Sequence, residues 1–350
     1  MKSEILITPL NWGLGHAARC IPIIRYLINR GHSVSVASDG EALFLINKEF
    51  PDLESFELPR LSIRYPRSFR TVFWIRKLSQ LIKWIQADHD KIQELLRQRA
   101  FSFIISDNRY GTFNAGCQNI FITHQLRLQL PFPWGPLASK YIQKYISKFN
   151  ICLIPDYPNQ PNLAGSLAHP PLQIPTYYVG PITRFKALQS EIMYDLVAII
   201  SGPEPYRSLF EMKIKAQLTS ADLKMLIVRG KPGRNKIRMY SKNVNVVDFL
   251  TSTHLNKVIS QSDMIVSRAG YTSIMDCHCL NKKALLIPTP GQPEQNYLAF
   301  WNMNHPLFLF QQETELNILT AREALLQRQN LANEGIIKDD LRFTLEKLGL

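Results

Sequence analysis

The sequence predicts an α/β protein of two Rossmann-like, parallel-sheet domains, and three observations carry that prediction. Glu4 to Pro9 reads as a short apolar strand that meets the glycine loop Asn11–Gly15 and a helix-compatible run from Ile21 to Asn29. The same order of strand, glycine loop and helix returns at Asp195–Leu218 and at Asp263–Cys279. Between the first unit and its repeats, Pro155 to Pro181 is proline-rich, with Pro170-Pro171 and Gly180-Pro181 marking the end of a domain. A repeated supersecondary unit implies two similar domains, and 350 residues suit that number. The boundary falls near Arg184 to Ser190, giving domains of residues 1–185 and 186–350.

Composition narrows the partners. Apolar residues make up 45% of the chain, enough for a core in each domain. Lys plus Arg total 41 against 28 Asp plus Glu, a net charge of +13 that favours anionic partners such as nucleotides, acidic glycans or lipid headgroups. No zinc-finger spacing and no RNP-like motif accompanies the charge, so nucleic acid is not expected. Five scattered cysteines argue against a disulfide framework. Cys277-His278-Cys279 does not read as a metal site, because residues two apart on a helix do not share a face. With neither a signal peptide nor a long apolar run visible, the expected location is the cytoplasm.

In the first half, Gly13 and Gly15 permit a tight turn, and His16 lands at the helix start on the sheet edge. A neutral imidazole there can take a proton from a hydroxyl. The plain alternative is a histidine that caps the helix or binds phosphate. Ala100 to Ser106 is a second apolar strand, ending in Asp107-Asn108-Arg109. Strand carboxyl ends gather at one edge of an open parallel sheet. Asp107 is therefore expected near His16, where a carboxylate fixes the imidazole tautomer. The rival reading has Asp107 capping a helix or pairing with Arg109. Asn119 to Thr123 is the next strand, and His124 follows it. Arg19, Asn108 and His124 are the acceptor-side candidates. For His124, a packed core histidine is an equal alternative.

Arg60, Arg64, Arg67, Arg70, Arg76, Lys77 and Lys83 fall in a stretch without acids, interleaved with Tyr65, Phe69, Phe73, Trp74 and Trp84. Lys140, Lys144 and Lys148 recur every four residues after the loop Pro131–Pro136. Such surfaces suit an anionic membrane face; a core helix with a solvated basic face is the simpler reading. Asp88-His89-Asp90 contains Asp-x-Asp, yet sits mid-helix between Ile85 and Ile92 and is expected at the surface.

In the second half, Met264 to Val266 is a strand that ends at Ser267-Arg268-Ala269-Gly270. A helix then starts through Tyr271, Thr272 and Ser273. A helix start presents N–H groups with no internal partner, and a diphosphate settles there. Arg268 can add a charge-assisted bond. Asp276, six residues past Gly270, suits a ribose diol rather than a phosphate. Ala284 to Ile287 is the next strand, ending in a loop that carries Glu294, Gln295 and Asn296. At the domain's opening, Gly202 lies in the loop Ser201–Arg207, where Pro203 and Pro205 each remove a backbone donor.

Ser267-Arg268-Ala269-Gly270, an acid at Asp276, then Pro288 with Gln295 and Tyr297 together resemble the carboxy-terminal half of the family 28, MurG-like glycosyltransferases. The resemblance implies a GT-B fold, with two Rossmann-like domains facing each other across a cleft, and a UDP-sugar donor. It places the family's ribose-binding glutamate on Asp276, one methylene shorter, and its donor-sugar glutamines on Gln295 and Asn296. Glu294-Gln295 is also similar to the acid-Gln pair of related glucosyltransferases. Arg207 matches an arginine that follows the family's first glycine loop, and Asp248-Phe249-Leu250 falls where uracil contacts lie. Gly15 and Gly202 join the donor set. Related GT-B transferases carry a base histidine in the loop of His16, and related plant enzymes a His–Asp pair like His16 and Asp107.

The implied activity is inverting, metal-independent transfer of a sugar from a UDP-sugar to a hydroxyl acceptor, lipid-linked or in a cell-envelope glycan. No cofactor is expected beyond the UDP-sugar, and a peripheral place on the inner membrane face fits the basic surface. The opening Gly13-Leu-Gly-His16-Ala-Ala-Arg19-Cys20 is also similar to the UDP-sugar hydrolase of pseudaminic acid synthesis, in which water replaces the acceptor. A non-catalytic sugar-nucleotide-binding protein on the same scaffold is the third reading.

Overall fold

The computed structural model describes residues 2–60, 71–130, 134–218, 222–231, 236–329 and 340–350, without the side chains of 71–78 and 218. The chain divides into two compact units: Met1–Asn11, His16–Ile182 and Asp339–Leu350 form one, Trp12–Gly15 and Thr183–Lys338 the other.

The first unit is a seven-stranded sheet in the order β3-β2-β1-β4-β5-β6-β7, and every pair in it is parallel. Its strands are β1 (Glu4–Pro9), β2 (Ser33–Ser38), β3 (Glu54–Glu57), β4 (Phe103–Asp107), β5 (Gln118–Ile122), β6 (Ile151–Ile154) and β7 (Thr176–Tyr178). Its helices are α1 (Gly15–Asn29), α2 (Gly40–Glu49), α3 (Thr71–Gln98) and α4 (Trp134–Ile146). β1 is apolar and almost wholly buried, as expected of a strand covered on both faces. Leu6, Ala37, Ile92 and Ile104 pack α3 onto this sheet.

The second unit repeats the plan in the order β10-β11-β9-β8-β12-β13-β14, parallel except for the edge strand β10. It contains β8 (Tyr194–Ile199), α5 (Tyr206–Leu218), β9 (Met225–Val228), β10 (Arg238–Ser241), β11 (Val244–Val247), α6 (Ser252–Ser260) and β12 (Ser262–Arg268). It continues with α7 (Tyr271–Cys279), β13 (Lys283–Ile287), α8 (Pro293–Trp301), β14 (Phe308–Phe310) and α9 (Ile318–Leu326). The last helix, α10 (Asp340–Lys347), belongs to the first unit, where Glu346 meets Tyr26 and Arg30 of α1.

Each sheet reverses its strand order once. In the first, the chain runs outward from β1 through β2 and then restarts at β4 on the other side of β1. In the second, β8 and β12 stand in the same relation. The loops leaving such a pair part to opposite faces of the sheet and open a crevice at the strand carboxyl ends. His16 and Asp107 sit at the first of these points, and Gly202 and Gly270 at the second.

Candidate functional site

At the first crevice the register pairs Pro9 with Asp107, so the end of β4 lies beside the loop that starts α1. Gly13 turns that loop with φ of +74°, a conformation that favours glycine. His16 Nδ1 then lies 2.7 Å from Asp107 Oδ1. A carboxylate only accepts, so Nδ1 carries a proton, and in the neutral imidazole Nε2 then holds the lone pair. Among the described residues nothing hydrogen-bonds Nε2.

Arg19, one turn along α1 from His16, is only 1% exposed. It grips both carboxylate oxygens, through Nε to Oδ2 at 2.7 Å and Nη2 to Oδ1 at 2.5 Å. Its Nη2 also comes 3.0 Å from His16 Nδ1, a contact between two donors once Nδ1 is protonated. The Cys20 thiol adds a weak contact to Oδ2 at 3.8 Å. Burial works against the charge of Asp107, but Arg19 and His16 outweigh it and hold the carboxyl down at about 2. The site is thus a histidine backed by a carboxylate that stays ionised.

Arg19 therefore differs from its acceptor-side expectation: its guanidinium is turned inward. His124, after β5, is buried with it, and Arg19 Nη1 lies 3.5 Å from His124 Nδ1. Asn108 follows Asp107 with a left-handed φ of +58°, and its Oδ1 is buried with no partner among the described residues.

Asp107 does not pair with Arg109. Arg109 turns the other way and makes a two-pronged bond to Asp88 of α3, Nε to Oδ2 at 2.7 Å and Nη2 to Oδ1 at 2.9 Å. Its Nη1 donates to Asp39 Oδ1 at 2.8 Å, and Asn11 Nδ2 donates to Asp39 Oδ2 at 2.9 Å. This corrects the surface reading of Asp88, which is 0% exposed. Burial pushes its carboxyl up to about 6 against the pull of Arg109, and Asp39 adds to the rise. The network ties the ends of β1, β2 and β4 to α3 and so holds the loops that carry His16 and Asp107. Trp84 is buried too, its Nε1 on the Pro59 carbonyl at 2.9 Å and its ring under Arg109, rather than in a basic-aromatic surface. Residues 61–70 and 131–133 of that expected surface, and the side chains of 71–78, lie outside the described residues. Lys140, Lys144 and Lys148 are exposed.

At the second crevice, Gly270 caps α7 with φ of −75°, and a Cβ built on it would meet nothing within 4 Å. Neither backbone geometry nor packing demands glycine there; its effect is to leave the helix start bare. The first bond inside the helix joins Ile274 N–H to Gly270 O at 3.1 Å, so the N–H groups of Thr272 and Ser273 have no carbonyl within the helix. Asp276, half-buried one turn further on, accepts from Thr183 Oγ1 at 2.6 Å. Burial raises its carboxyl to about 6 against the influence of Arg184 and of the Thr183 bond.

Several donor-side expectations meet a different arrangement. Arg268 is 2% exposed and lies 4.0 Å over the ring of Phe210. It donates to Glu313 Oε2 at 2.7 Å and to the Tyr206 carbonyl at 3.0 Å. This corrects its placement on a diphosphate, since the charge is already spent inside the unit. Gln295 is committed at both ends of its amide: Oε1 accepts from Thr289 N–H at 2.7 Å, and Nε2 donates to Gln292 Oε1. It shapes the loop after β13 instead of projecting from it. Glu294 lies half-buried in the first turn of α8, and Asn296 is exposed. Tyr271 and Phe249 are buried, so contact from them would run through backbone. Gly202 has φ of +102°, and Arg207 bonds Glu204 at 3.1 Å and the Gly230 carbonyl at 3.3 Å. Gly15 is the first residue of α1 and groups with the second unit.

Sequence reasoning missed Thr183, Glu313, and the pairing of Asp39 and Asp88 with Arg109. Each is a partner distant in sequence, and no local motif marks it. Among the described residues no helix is long and apolar enough to cross a membrane.

Two α/β units of mostly parallel sheet, each with a crevice at its strand carboxyl ends, are those of a GT-B fold. Comparison with known proteins agrees and narrows the class. Residues 205–335 match the glycosyltransferase family 28 C-terminal domain. An uncharacterized glycosyltransferase of Methanosarcina acetivorans is 23% identical over 312 residues, covering 83% of this chain and 81% of that protein. A UDP-N-acetylglucosamine–N-acetylmuramyl-(pentapeptide) pyrophosphoryl-undecaprenol N-acetylglucosamine transferase of Sulfurihydrogenibium is 24% identical over 149 residues, 41% of this chain and 40% of the relative. The crystal structure of Acinetobacter baumannii MurG aligns with a TM-score of 0.54 at 11% identity, covering 93% of this chain and 90% of that one. The second unit thus carries a glycosyltransferase family 28 C-terminal domain, and the chain is similar to glycosyltransferases over most of its length.

Proposed function

We propose that the protein transfers a sugar from a UDP-sugar to a hydroxyl acceptor with inversion and without a metal ion. The observation that carries the reading is the 2.7 Å contact of His16 Nδ1 with Asp107, which leaves Nε2 as a proton acceptor. In this reading Nε2 takes the acceptor's proton as its oxygen attacks the anomeric carbon. Asp107 stabilises the imidazolium that forms, and Arg19 keeps Asp107 ionised. The leaving UDP is held at the start of α7, where the N–H groups of Thr272 and Ser273 stabilise the growing charge, and Asp276 receives the ribose. Asp88 of the Asp-x-Asp stretch is spent on Arg109, which favours charge stabilisation by the helix start over a metal bound to that stretch. The name of the Sulfurihydrogenibium relative points to a UDP-sugar donor and a lipid-linked acceptor. The exposed lysines of α4 suit an anionic membrane face.

The test is release of UDP from a panel of UDP-sugars, with and without hydroxyl acceptors, by the wild type and by His16→Ala. The reading expects acceptor-dependent release that His16→Ala abolishes while UDP binding survives. Release equally fast without acceptor would make the protein a hydrolase.

A further inference from the structure

The Thr183 hydroxyl is held between two fixed partners within the second unit. Its oxygen accepts from Phe185 N–H at 3.2 Å. Its single proton is then directed at Asp276 Oδ1, 2.6 Å away. Phe185 is itself buried, and the next residue, Lys186, donates its N–H to Asn256 Oδ1 at 3.3 Å, so the segment that carries Thr183 is pinned on α6. Among the described residues no other group hydrogen-bonds the Asp276 carboxylate, and Asp276 as a residue is half-buried.

A carboxylate has about four lone-pair sites. One oxygen here has its orientation fixed by Thr183, and the second keeps its acceptor capacity. A short aspartate has two side-chain torsions, and a bond to one oxygen removes most of their freedom. The group that suits such a preset acceptor beside a bare helix start is a hydroxyl pair a few ångströms from a phosphate.

We infer that Thr183 is a positioning residue for the nucleotide ribose: it presents Asp276 Oδ2 to the 2′-hydroxyl and so makes the protein select ribonucleoside over 2′-deoxyribonucleoside diphosphates. This rests on the reading of α7 as the UDP seat. The motif that contains Asp276 says nothing of Thr183, which lies 93 positions earlier.

The test is calorimetric titration of the full chain with UDP and with 2′-deoxy-UDP, on the wild type, Thr183→Val, Thr183→Ser and Asp276→Ala. The wild type should prefer UDP. Thr183→Val should lose about tenfold in UDP affinity, the usual scale of a hydrogen bond to a charged group, and keep its affinity for 2′-deoxy-UDP. Thr183→Ser, which retains the hydroxyl, should keep the preference. Equal loss of both ligands in Thr183→Val would overturn the inference by making Thr183 a structural residue. So would Thr183→Val with unchanged preference. If Asp276→Ala also leaves the preference intact, the ribose reading of Asp276 fails first, and the role of Thr183 with it. Should Thr183→Val not fold, a Thr183→Ser chain without a UDP preference would overturn the inference on its own.

Discussion

Two buried arginines, each at the carboxyl end of a central crevice, show how differently the two units use charge. Arg19 in the first unit is turned inward beneath the catalytic candidates at the end of its sheet. It holds both oxygens of Asp107 and stands against His16. Arg268 in the second unit is withdrawn from its edge onto Glu313 and the face of Phe210. The first unit thus gathers ionised groups at the crevice where the proposed reaction moves a proton. The second leaves its crevice to backbone N–H groups and one carboxylate. A buried arginine is not evidence of a ligand by itself; what it faces decides whether it serves chemistry or packing.

The largest expected effect separates the two crevices. His16→Ala and Asp107→Asn should each lower transfer by roughly 10²–10⁴-fold, the scale of a positioned general base, with UDP affinity unchanged. The assay is acceptor-dependent UDP release. Retained transfer in both variants would remove the chemical distinction between the units.

A second prediction sets the arginines against each other. Arg19→Met leaves Asp107 buried beside a histidine alone and should cost about 3–5 kcal/mol of stability, as for other broken buried pairs. Arg268→Met leaves Glu313 still paired with Lys213 at 3.0 Å, so about 1–3 kcal/mol is expected. Urea unfolding of both variants reads the difference. A larger loss for Arg268→Met, or loss of UDP binding with it, would break the comparison.

The smallest effects concern pH. Asp107 falls from an ordinary value of 3.8 to about 2 on folding. Its contribution is therefore fully present above 3.8 and lost as pH falls toward 2. Asp88 rises from 3.8 to about 6. The folded state holds its proton longer than the unfolded chain, so its contribution falls as pH rises from 3.8 to 6. Denaturant titrations at pH 3 and pH 5 should show Asp107→Asn with a weaker acid loss than the wild type below pH 4.

Much of the fold was legible because strands buried on both faces advertise themselves as apolar runs: β1, β4, β5, β8, β12 and β13 do so. The short edge strands β3, β7, β10 and β14 did not, since three or four residues half-exposed carry no such run. The candidate base was legible because the sheet rule brings the ends of β1 and β4 together from sequence order alone. The direction in which a long side chain turns was not. Arg19, Arg268 and Gln295 were read as reaching outward because a ligand suits their chemistry. Each instead found a partner 88, 45 or 6 positions away. Asp88 was read as surface because it sits mid-helix between Ile85 and Ile92, and only the fold reveals the arginine opposite it.

The central claim is that proton transfer belongs to the first crevice and nucleotide binding to the second. Titration of UDP into His16→Ala and Asp276→Ala tests it most directly. The account predicts wild-type affinity in His16→Ala and at least about a tenfold loss in Asp276→Ala, where a hydrogen bond to a charged group is removed. Equal loss in both, or UDP bound as tightly by Asp276→Ala as by the wild type, would contradict it.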